Sequence, residues 1–165
     1  MIAMRPETPA DIPAIRQVIE AAFGQTAEVV LVDQLREDGD LVLSLVAEDA
    51  GVVVGHIAFS RLEVEDKAAR FDALALAPIA VHPSRQGEGI GSGLVRTAHD
   101  MLRQRSEHLI VVLGDPDYYQ RFGYDRERAE GFESSYQSDS LMALALDGAA
   151  PRSGQLRYAF AFTEL

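Results

Sequence analysis

Residues 79–93 read IAVHPSRQGEGIGSG and join an apolar run to a loop with glycine at every second position. The apolar run is typical of a buried strand, and the apolar spacing after Gly89 predicts a helix over Ile90–Arg105. Glycine adopts φ > 0 and has no Cβ, so main-chain N–H groups can converge in such a loop. The helix N-terminus behind it adds unpaired N–H donors and positive potential. The stretch therefore predicts an anion cradle, typically one for phosphate.

Two common phosphate-binding motifs do not fit this loop. A P-loop ends in Gly-Lys-Ser/Thr, and no lysine follows these glycines. The dinucleotide pattern G-x-G-x-x-G also fails. The position of its last glycine is occupied by Ser92 when the pattern starts at Gly87, and by Leu94 when it starts at Gly89. A glycine-rich turn of purely structural use stays open as the alternative.

Upstream of this stretch, apolar spacing and turn residues predict two helices and four strands. Proline is normally excluded from a central strand, so Pro78 predicts a bulge or a splay in the strand that enters the loop. The predicted elements are a short strand over Ile2–Arg5, helices from Thr8 to Gly24 and over Thr26–Glu37, hairpin strands over Leu41–Glu48 and Val52–Phe59, and a strand over Phe71–Val81.

Downstream of the loop and its helix, the pattern predicts a buried strand over His108–Leu113 and a short helix over Pro116–Phe122. Two further strands are predicted over Leu141–Leu146 and Leu156–Phe162. The resulting order is β-α-α-β-β-β-α-β-α-β-β, a mixed α/β arrangement around one sheet. At 165 residues, without a linker or a repeat, the chain 1–165 is expected to form a single domain.

Composition excludes several classes of function. Cysteine is absent, which rules out disulfides, thiolate metal sites and a cysteine nucleophile, and no metal is expected. The formal net charge of −11 repels phosphate backbones and anionic lipid surfaces, so neither nucleic acid nor membrane is an expected partner. A cationic substrate such as an amine would be favoured at long range. No apolar stretch of signal-peptide or membrane-spanning length appears, which predicts a cytoplasmic protein.

Two segments carry a resemblance to a known family. Residues Gln86–Gly91 fit Q/R-x-x-G-x-G/A, the acyl-CoA pyrophosphate loop of the GNAT superfamily of N-acetyltransferases. Residues Gly114–Tyr124 resemble the Y-x-x-x-G-F/Y element of a branch of small bacterial predicted acetyltransferases. The element order is also similar, so the resemblance covers almost the whole chain. It implies a GNAT-like acyl-CoA N-acyltransferase fold, with a mostly antiparallel mixed sheet of six to seven strands and about four flanking helices.

The resemblance implies an N-acetyltransferase that moves an acetyl group from acetyl-CoA to a primary amine by direct attack. Main-chain groups of the strand would pair with the pantetheine arm, and an N–H near Val81 could polarise the thioester carbonyl. Gln86 could add a side-chain donor to the loop, and the side chain of Glu88 is expected to point to solvent. The implied cofactor-binding residues are Ile79, Ala80, Val81, Gln86, Gly87, Glu88, Gly89, Ile90, Gly91 and Ser92.

Tyr119 matches the tyrosine of the family motif, which implies that its phenol protonates the leaving thiolate. The alternative is a core aromatic side chain with a satisfied hydroxyl. The general base stays open among Glu28, Asp72, His56 and Asp115, with a water chain as a further alternative, whereas His82 is expected to shape the turn into the loop.

The acceptor is expected to be an amine-bearing small molecule or a peptide. Its identity would be set by Glu20–Gly39 and by the loop Gly131–Ser140, for which a solvated connection is the alternative. Small proteins of this family often pair through edge strands, so the sequence is also consistent with a homodimer. A non-catalytic acyl-CoA-binding sensor or interaction module is the alternative function.

Overall fold

A computed structural model describes residues 1–135 and 140–164. Its strands are β1 (Ile2–Pro6), β2 (Leu41–Asp49), β3 (Val52–Asp66), β4 (Ala69–Val81), β5 (Leu109–Leu113), β6 (Phe132–Glu133), β7 (Leu141–Ala145) and β8 (Gly154–Arg157). Its α-helices are α1 (Ile12–Phe23), α2 (Ala27–Glu37), α3 (Ile90–Gln104), α4 (Pro116–Tyr119) and α5 (Arg126–Ala129). Short 3₁₀ turns cover Pro9–Asp11, Pro83–Arg85, Gln120–Phe122 and Phe160–Glu164.

The predicted mixed α/β class and mostly antiparallel sheet are confirmed. The strands lie in the order β1-β2-β3-β4-β5-β7, with β8 beside the far end of β3 and β6 beside β8. Among the strands of the described residues, the pairs β4–β5 and β6–β8 are parallel and the other pairs are antiparallel. The described residues form eight strands and five α-helices, slightly more than expected, because β6 and α5 are too short to leave a periodic pattern.

Helices cover both faces of the sheet. The apolar stripe of α3, which includes Leu94, Val95 and Leu102, packs on one face against side chains of β2 to β5. On the other face, α1 and α2 bury Ile15, Ile19 and other apolar side chains. None of the helices described in residues 1–135 and 140–164 is both long and apolar enough to cross a bilayer.

The irregularity expected at Pro78 is confirmed and opens a cleft in the sheet. The register between β3 and β4 shifts beside Pro78, where β4 carries one more residue than β3. On its other side, β4 pairs with β5 only through Leu74 with Ile110 and Ala75 with Val111. Beyond Ala75 the two strands are no longer paired, and the last part of β4 borders open space instead of a neighbouring strand.

The predicted strand over Leu156–Phe162 is wrong beyond Arg157. Strand β8 ends at Arg157, where its antiparallel pairing with β3 ends, and Phe160–Glu164 forms a 3₁₀ turn. The Phe162 N–H donates to the Ala159 carbonyl at 3.0 Å. Ala159, Ala161 and Phe162 are all buried in the same cluster as Leu31 and Leu35 of α2, and that spacing fits a helical turn better than strand alternation.

Candidate active site

The predicted anion loop forms one wall of a cavity of about 350 Å³ at the N-terminus of α3. We call this cavity the glycine cradle. It is lined by Val81, Arg85, Gln86, Gly87, Gly89, Ile90, Gly91, Ser92, Tyr118 and Arg121. Seven of the ten residues predicted to bind the cofactor thus meet in one place, while Ile79, Ala80 and Glu88 lie outside this lining.

The glycines serve two different needs. Gly87 and Gly89 both have φ of +81°, a conformation in which other residues are strained, although a Cβ at either position would meet nothing within 4 Å. Gly91 has ordinary helical geometry, but a Cβ there would lie 2.9 Å from the Tyr118 hydroxyl. Conformation therefore requires the first two glycines, and close approach of Tyr118 favours the third.

Helix α3 leaves its first N–H groups free at the cradle. Its first main-chain hydrogen bond runs from the Gly93 N–H to the Gly89 carbonyl at 3.0 Å. The N–H groups of Ile90, Gly91 and Ser92 therefore have no partner within the helix. Together with the positive end of the helix dipole, such free N–H groups are the donors that an anion site at a helix N-terminus uses.

Arg121 supplies a positive charge at the cradle that sequence analysis did not identify. Its guanidinium stacks 4.7 Å from the centre of the Tyr118 ring, and its Nη2 lies 3.4 Å from the Ser92 hydroxyl. Among residues 1–135 and 140–164 no carboxylate pairs with it. Its distance of three residues from Tyr118 on a helical turn is the signal that could have revealed it.

Arg85 contributes little free charge, because two carboxylates already bind it. Its Nη2 donates to Asp49 at 2.9 Å and its Nε donates to Glu88 at 3.1 Å. Glu88 is thereby held at the surface with its side chain outside the cradle lining, as expected. An acidic residue inside the loop is thus compatible with anion binding.

Two polar side chains shape the path from strand to loop. The His82 Nδ1 accepts a hydrogen bond from the Ser84 N–H at 3.2 Å, so His82 shapes the turn as predicted. The Gln86 Nε2 donates to the Val81 carbonyl at 3.2 Å. The side-chain donor that Gln86 was expected to offer a ligand is therefore directed at the strand in this structure.

The main chain of Ile79–Val81 borders the cleft between β4 and β5. The His82 N–H donates to Val54 of β3, so by strand alternation the main-chain groups of Ala80 face β3 and those of Ile79 and Val81 face the cleft. The Ala80 side chain is buried against α1 and α2. Of the three predicted strand residues, Ile79 and Val81 can therefore pair with an extended ligand through their main chains.

A second cavity, of about 390 Å³, lies at the other end of this segment, and we call it the apolar cavity. It occupies the splay between β4 and β5 and reaches α1, α2 and the C-terminal turn. Its lining residues are Phe23, Glu28, Leu31, Ala75, Leu76, Ala77, Pro78, Ile79, Val111, Val112, Leu113, Tyr119, Tyr158 and Phe162. Ile79 lines this cavity and Val81 lines the cradle. The expectation of an oxyanion donor near Val81 stays a prediction.

Tyr119 is tightly packed in the wall of the apolar cavity. Its side chain is 7% exposed, and its ring packs edge-on against Tyr118 and Tyr124 at centroid distances of 5.0 and 5.7 Å. A Cβ on Gly114 would lie 2.4 Å from the ring, so only glycine lets the ring approach that closely. The Tyr119 hydroxyl has no hydrogen-bond partner in the described part of the chain. Burial is the main reason that the pKa of Tyr119 rises to about 12.

The adjacent tyrosines face different cavities. Tyr118 lines the cradle and Tyr119 lines the apolar cavity, as expected for neighbours about 100° apart on a helical turn. The Asp115 carboxylate begins that turn by accepting the Asp117 N–H at 3.0 Å. Asp115 is therefore used as a helix cap.

Of the open base candidates, Glu28 alone lines the apolar cavity. His56 is fully buried, bonds Ser44 at 2.8 Å, and lines neither cavity. Burial lowers the pKa of His56 to about 4, so its ring is neutral near pH 7. Asp72 lies on β4 opposite Glu63, away from both cavities.

Of the two segments expected to set acceptor identity, one contributes side chains to the lining of the apolar cavity and the other does not in its described part. From Glu20–Gly39, the side chains of Phe23, Glu28 and Leu31 line the apolar cavity. Within Gly131–Ser140, residues 136–139 lie outside the described residues, and the described remainder does not line the cavity. Tyr158 and Phe162, which sequence analysis assigned to a strand, take part instead.

Comparison with known proteins agrees with this geometry. Residues 3–126 match the family model described as an acetyltransferase (GNAT) domain. The chain is 38% identical to the "Uncharacterized N-acetyltransferase YhbS" of Escherichia coli K12 over 153 residues, which cover 88% of this chain and 90% of that protein.

Two solved structures are similar over nearly the whole chain. A GNAT family acetyltransferase from Brucella melitensis in complex with acetyl-CoA is 39% identical, with a TM-score of 0.83 and coverage of 98% of both chains. The YhbS acetyltransferase from Escherichia coli in complex with CoA is 32% identical, with a TM-score of 0.90 and coverage of 98% of this chain and 92% of that one. This chain belongs to the GNAT family of N-acetyltransferases.

Proposed function

We propose that the protein transfers the acetyl group of acetyl-CoA to the nitrogen of a primary amine at the apolar cavity. The observation that carries the proposal is the arrangement of two unlike cavities at opposite ends of Ile79–Val81. One end offers main-chain donors and Arg121, which suit a pyrophosphate. The other end is mostly apolar and contains the unpaired hydroxyl of Tyr119, which suits acyl transfer.

The cradle would hold the cofactor chiefly through the main chain. The free N–H groups of Ile90, Gly91 and Ser92 converge on the space where a pyrophosphate would lie, and Arg121 adds a charge. The outward main-chain groups of Ile79 and the N–H of Val81 would bind the pantetheine amides as an added strand does, since the Val81 carbonyl already accepts from Gln86. This path leads from the cradle towards Tyr119, since Ile79 also lines the apolar cavity.

The acetyl group moves directly from the thioester sulfur to the amine nitrogen. The amine nitrogen attacks the thioester carbonyl carbon, the C–N bond forms, and the C–S bond breaks. The Ile79 N–H donates to the developing oxyanion, and the Tyr119 hydroxyl donates its proton to the leaving sulfur. The acceptor ammonium loses two protons in total: one replaces the proton given by Tyr119, and the other is released to solvent.

The raised pKa of Tyr119 keeps the phenol in its protonated form. At a pKa of about 12 the phenol stays protonated at physiological pH, so a proton is always available and Tyr119 cannot act as a base there. A thiol in water has a pKa of about 8.5. Burial in the same apolar cavity would raise the pKa of the leaving thiol as well, which brings donor and acceptor closer in proton affinity.

Two measurements test the proposal. In a thermal-shift assay with CoA, acetyl-CoA, ATP and NAD, we expect CoA and acetyl-CoA alone to stabilise the protein. In an assay of CoA thiol release from acetyl-CoA with a broad panel of primary amines, we expect release that depends on the amine. Binding of CoA without amine-dependent thiol release would favour the non-catalytic sensor. Absence of CoA binding would overturn the proposal altogether.

A further inference from the structure

The apolar cavity is poor in groups that could bind a polar acceptor. Among the residues that line it, the side-chain polar groups are the Glu28 carboxylate and the hydroxyls of Tyr119 and Tyr158. The remaining side chains are aliphatic or are phenylalanines. Burying a hydroxyl or a second charge against such walls without a partner is costly. The lining therefore favours an acceptor with one polar end and an apolar body.

Glu28 is the group in this lining that suits the polar end. It lies in the first turn of α2, and both of its oxygens accept from the Gln25 Nε2, at 3.0 and 3.1 Å. No arginine, lysine or histidine within the described residues pairs with it. A carboxylate that borders an apolar cavity without a counter-ion binds a cation favourably, and the charge of −11 on the whole chain attracts one from a distance.

The mouth of the cavity provides a second indication of an apolar ligand. Phe23 and Leu113 line the cavity, yet their side chains are 40% and 42% exposed. Large apolar side chains that remain exposed around a pocket often mark a surface that a ligand covers. Here they extend the apolar lining from Leu31 and Pro78 to the surface, where the body of an acceptor would pass.

The volume limits the size of that body. At about 390 Å³ the cavity is near the small end of typical ligand pockets, which span about 300–1,000 Å³. Part of that space must hold the acetyl group and the end of the pantetheine arm. A compact acceptor fits what remains.

From these observations we infer that the acceptor is a primary monoamine on a compact aliphatic or aromatic body, with its ammonium bound by Glu28. This inference rests on the proposed function and names the substrate class of the same site. It disfavours polyamines, since a second ammonium would meet no second carboxylate in the lining. It also disfavours aminoglycosides, because the lining offers few polar groups to replace the water that their many hydroxyls would lose.

The test compares kcat/KM for five probes at equal acetyl-CoA: 2-phenylethylamine, hexylamine, spermidine, kanamycin and a lysine-containing peptide. We expect the two apolar monoamines to exceed the other three by at least about tenfold, and Glu28→Gln to lower their kcat/KM by about tenfold or more, the effect of a charged hydrogen bond. Glu37→Gln is the matched control, because Glu37 is an exposed glutamate at the end of the same helix. It should leave all five values unchanged.

A binding measurement separates failure of the inference from failure of the proposed function. Calorimetric titration of 2-phenylethylamine into the CoA-bound protein should show binding that Glu28→Gln weakens by about tenfold and Glu37→Gln does not. Preference for spermidine, kanamycin or the peptide would overturn the acceptor class while leaving acetyl transfer intact. Amine binding at Glu28 without any thiol release would support the site and overturn catalysis. Absence of both would overturn both.

Discussion

The glycine cradle and the apolar cavity lie at the two ends of Ile79–Val81, yet they are constructed differently. Most of the cradle comes from one continuous stretch of chain, Val81–Ser92, and its donors are largely main-chain N–H groups. The apolar cavity is assembled from α1, α2, β4, β5, α4 and the C-terminal turn, and its character comes from side chains. A main-chain site depends on backbone conformation, whereas an assembled cavity depends on which side chains the fold brings together.

This difference predicts that substitutions at the two ends change different quantities. At the cradle, changes to conformation or charge should weaken cofactor affinity and leave the chemical step largely alone. In the apolar cavity, loss of one hydroxyl should slow the chemical step with little effect on cofactor affinity. Four predictions test that division, in order of decreasing effect.

Tyr119→Phe removes the proton donor and should lower kcat by about 100-fold or more, the usual contribution of a general acid. The affinity for CoA should change little, because Tyr119 does not line the cradle. Steady-state kinetics with titration calorimetry would measure both. Tyr118→Phe is the control: its hydroxyl lies at the cradle beside Gly91, so it should retain kcat. Equal kcat values for the two variants would contradict this assignment.

Gly89→Val should weaken CoA binding by about 100-fold. Valine at φ of +81° is strained by about 1–3 kcal/mol, so we expect the loop to change conformation and its N–H groups to point away from one another. Gly51→Val is the matched control. Gly51 has φ of +83°, also has open space around its Cα, and lies in the β2–β3 turn. Both variants should lose similar thermal stability, and CoA titration should distinguish them. If Gly51→Val weakened CoA binding equally, the effect would belong to folding and not to the cradle.

Arg121→Ala should weaken CoA binding by about tenfold, the effect of one charged hydrogen bond, and should reduce the salt dependence of that binding. Arg96→Ala is a close control, because Arg96 stacks on Phe122 at 5.1 Å, much as Arg121 does at 5.3 Å, but does not line the cradle. Titrations at low and high salt would measure both effects. An Arg121 variant with wild-type affinity at low salt would remove Arg121 from the site.

The smallest effect concerns pH. A tyrosine with the ordinary pKa of about 10 would be deprotonated in half of the molecules at pH 10, and activity would fall. Because the pKa of Tyr119 is raised to about 12, the donor stays protonated, and kcat at saturating amine should show no decline centred near pH 10. The pH profile measures this, with circular dichroism to verify folding. A decline centred near pH 10 in folded protein would show that burial does not protect the phenol.

The same contrast explains how much the sequence could predict. The loop at Gly87–Gly91, the helix behind it and the splay at Pro78 depend on local residue types, so they were predicted and observed. Arg121 was missed because its spacing from Tyr118 is only a weak local signal, and its position beside Ser92, 29 residues away in sequence, exists only in the folded chain. Phe162 was assigned to a strand because apolar residues near the C-terminus suit a strand or a helical turn equally well without knowledge of α2.

Glu28 and His56 show the limit most clearly. Both were open as base candidates, and neither lies in a motif. Placement distinguishes them without identifying a base: His56 is fully buried, whereas Glu28 borders the apolar cavity. Such placement depends on the register of β3 and on how α2 packs, which no short pattern encodes.

A crystal structure of the protein with acetyl-CoA would test the central claim most directly, namely that one strand segment joins a main-chain anion cradle to an apolar cavity for acyl transfer. We predict the pyrophosphate on the N–H groups of Ile90–Ser92, pantetheine amides on the main chain of Ile79 and Val81, and the thioester sulfur within hydrogen-bond distance of the Tyr119 hydroxyl. A thioester outside the apolar cavity, or a Tyr119 hydroxyl directed away from the sulfur, would contradict the account.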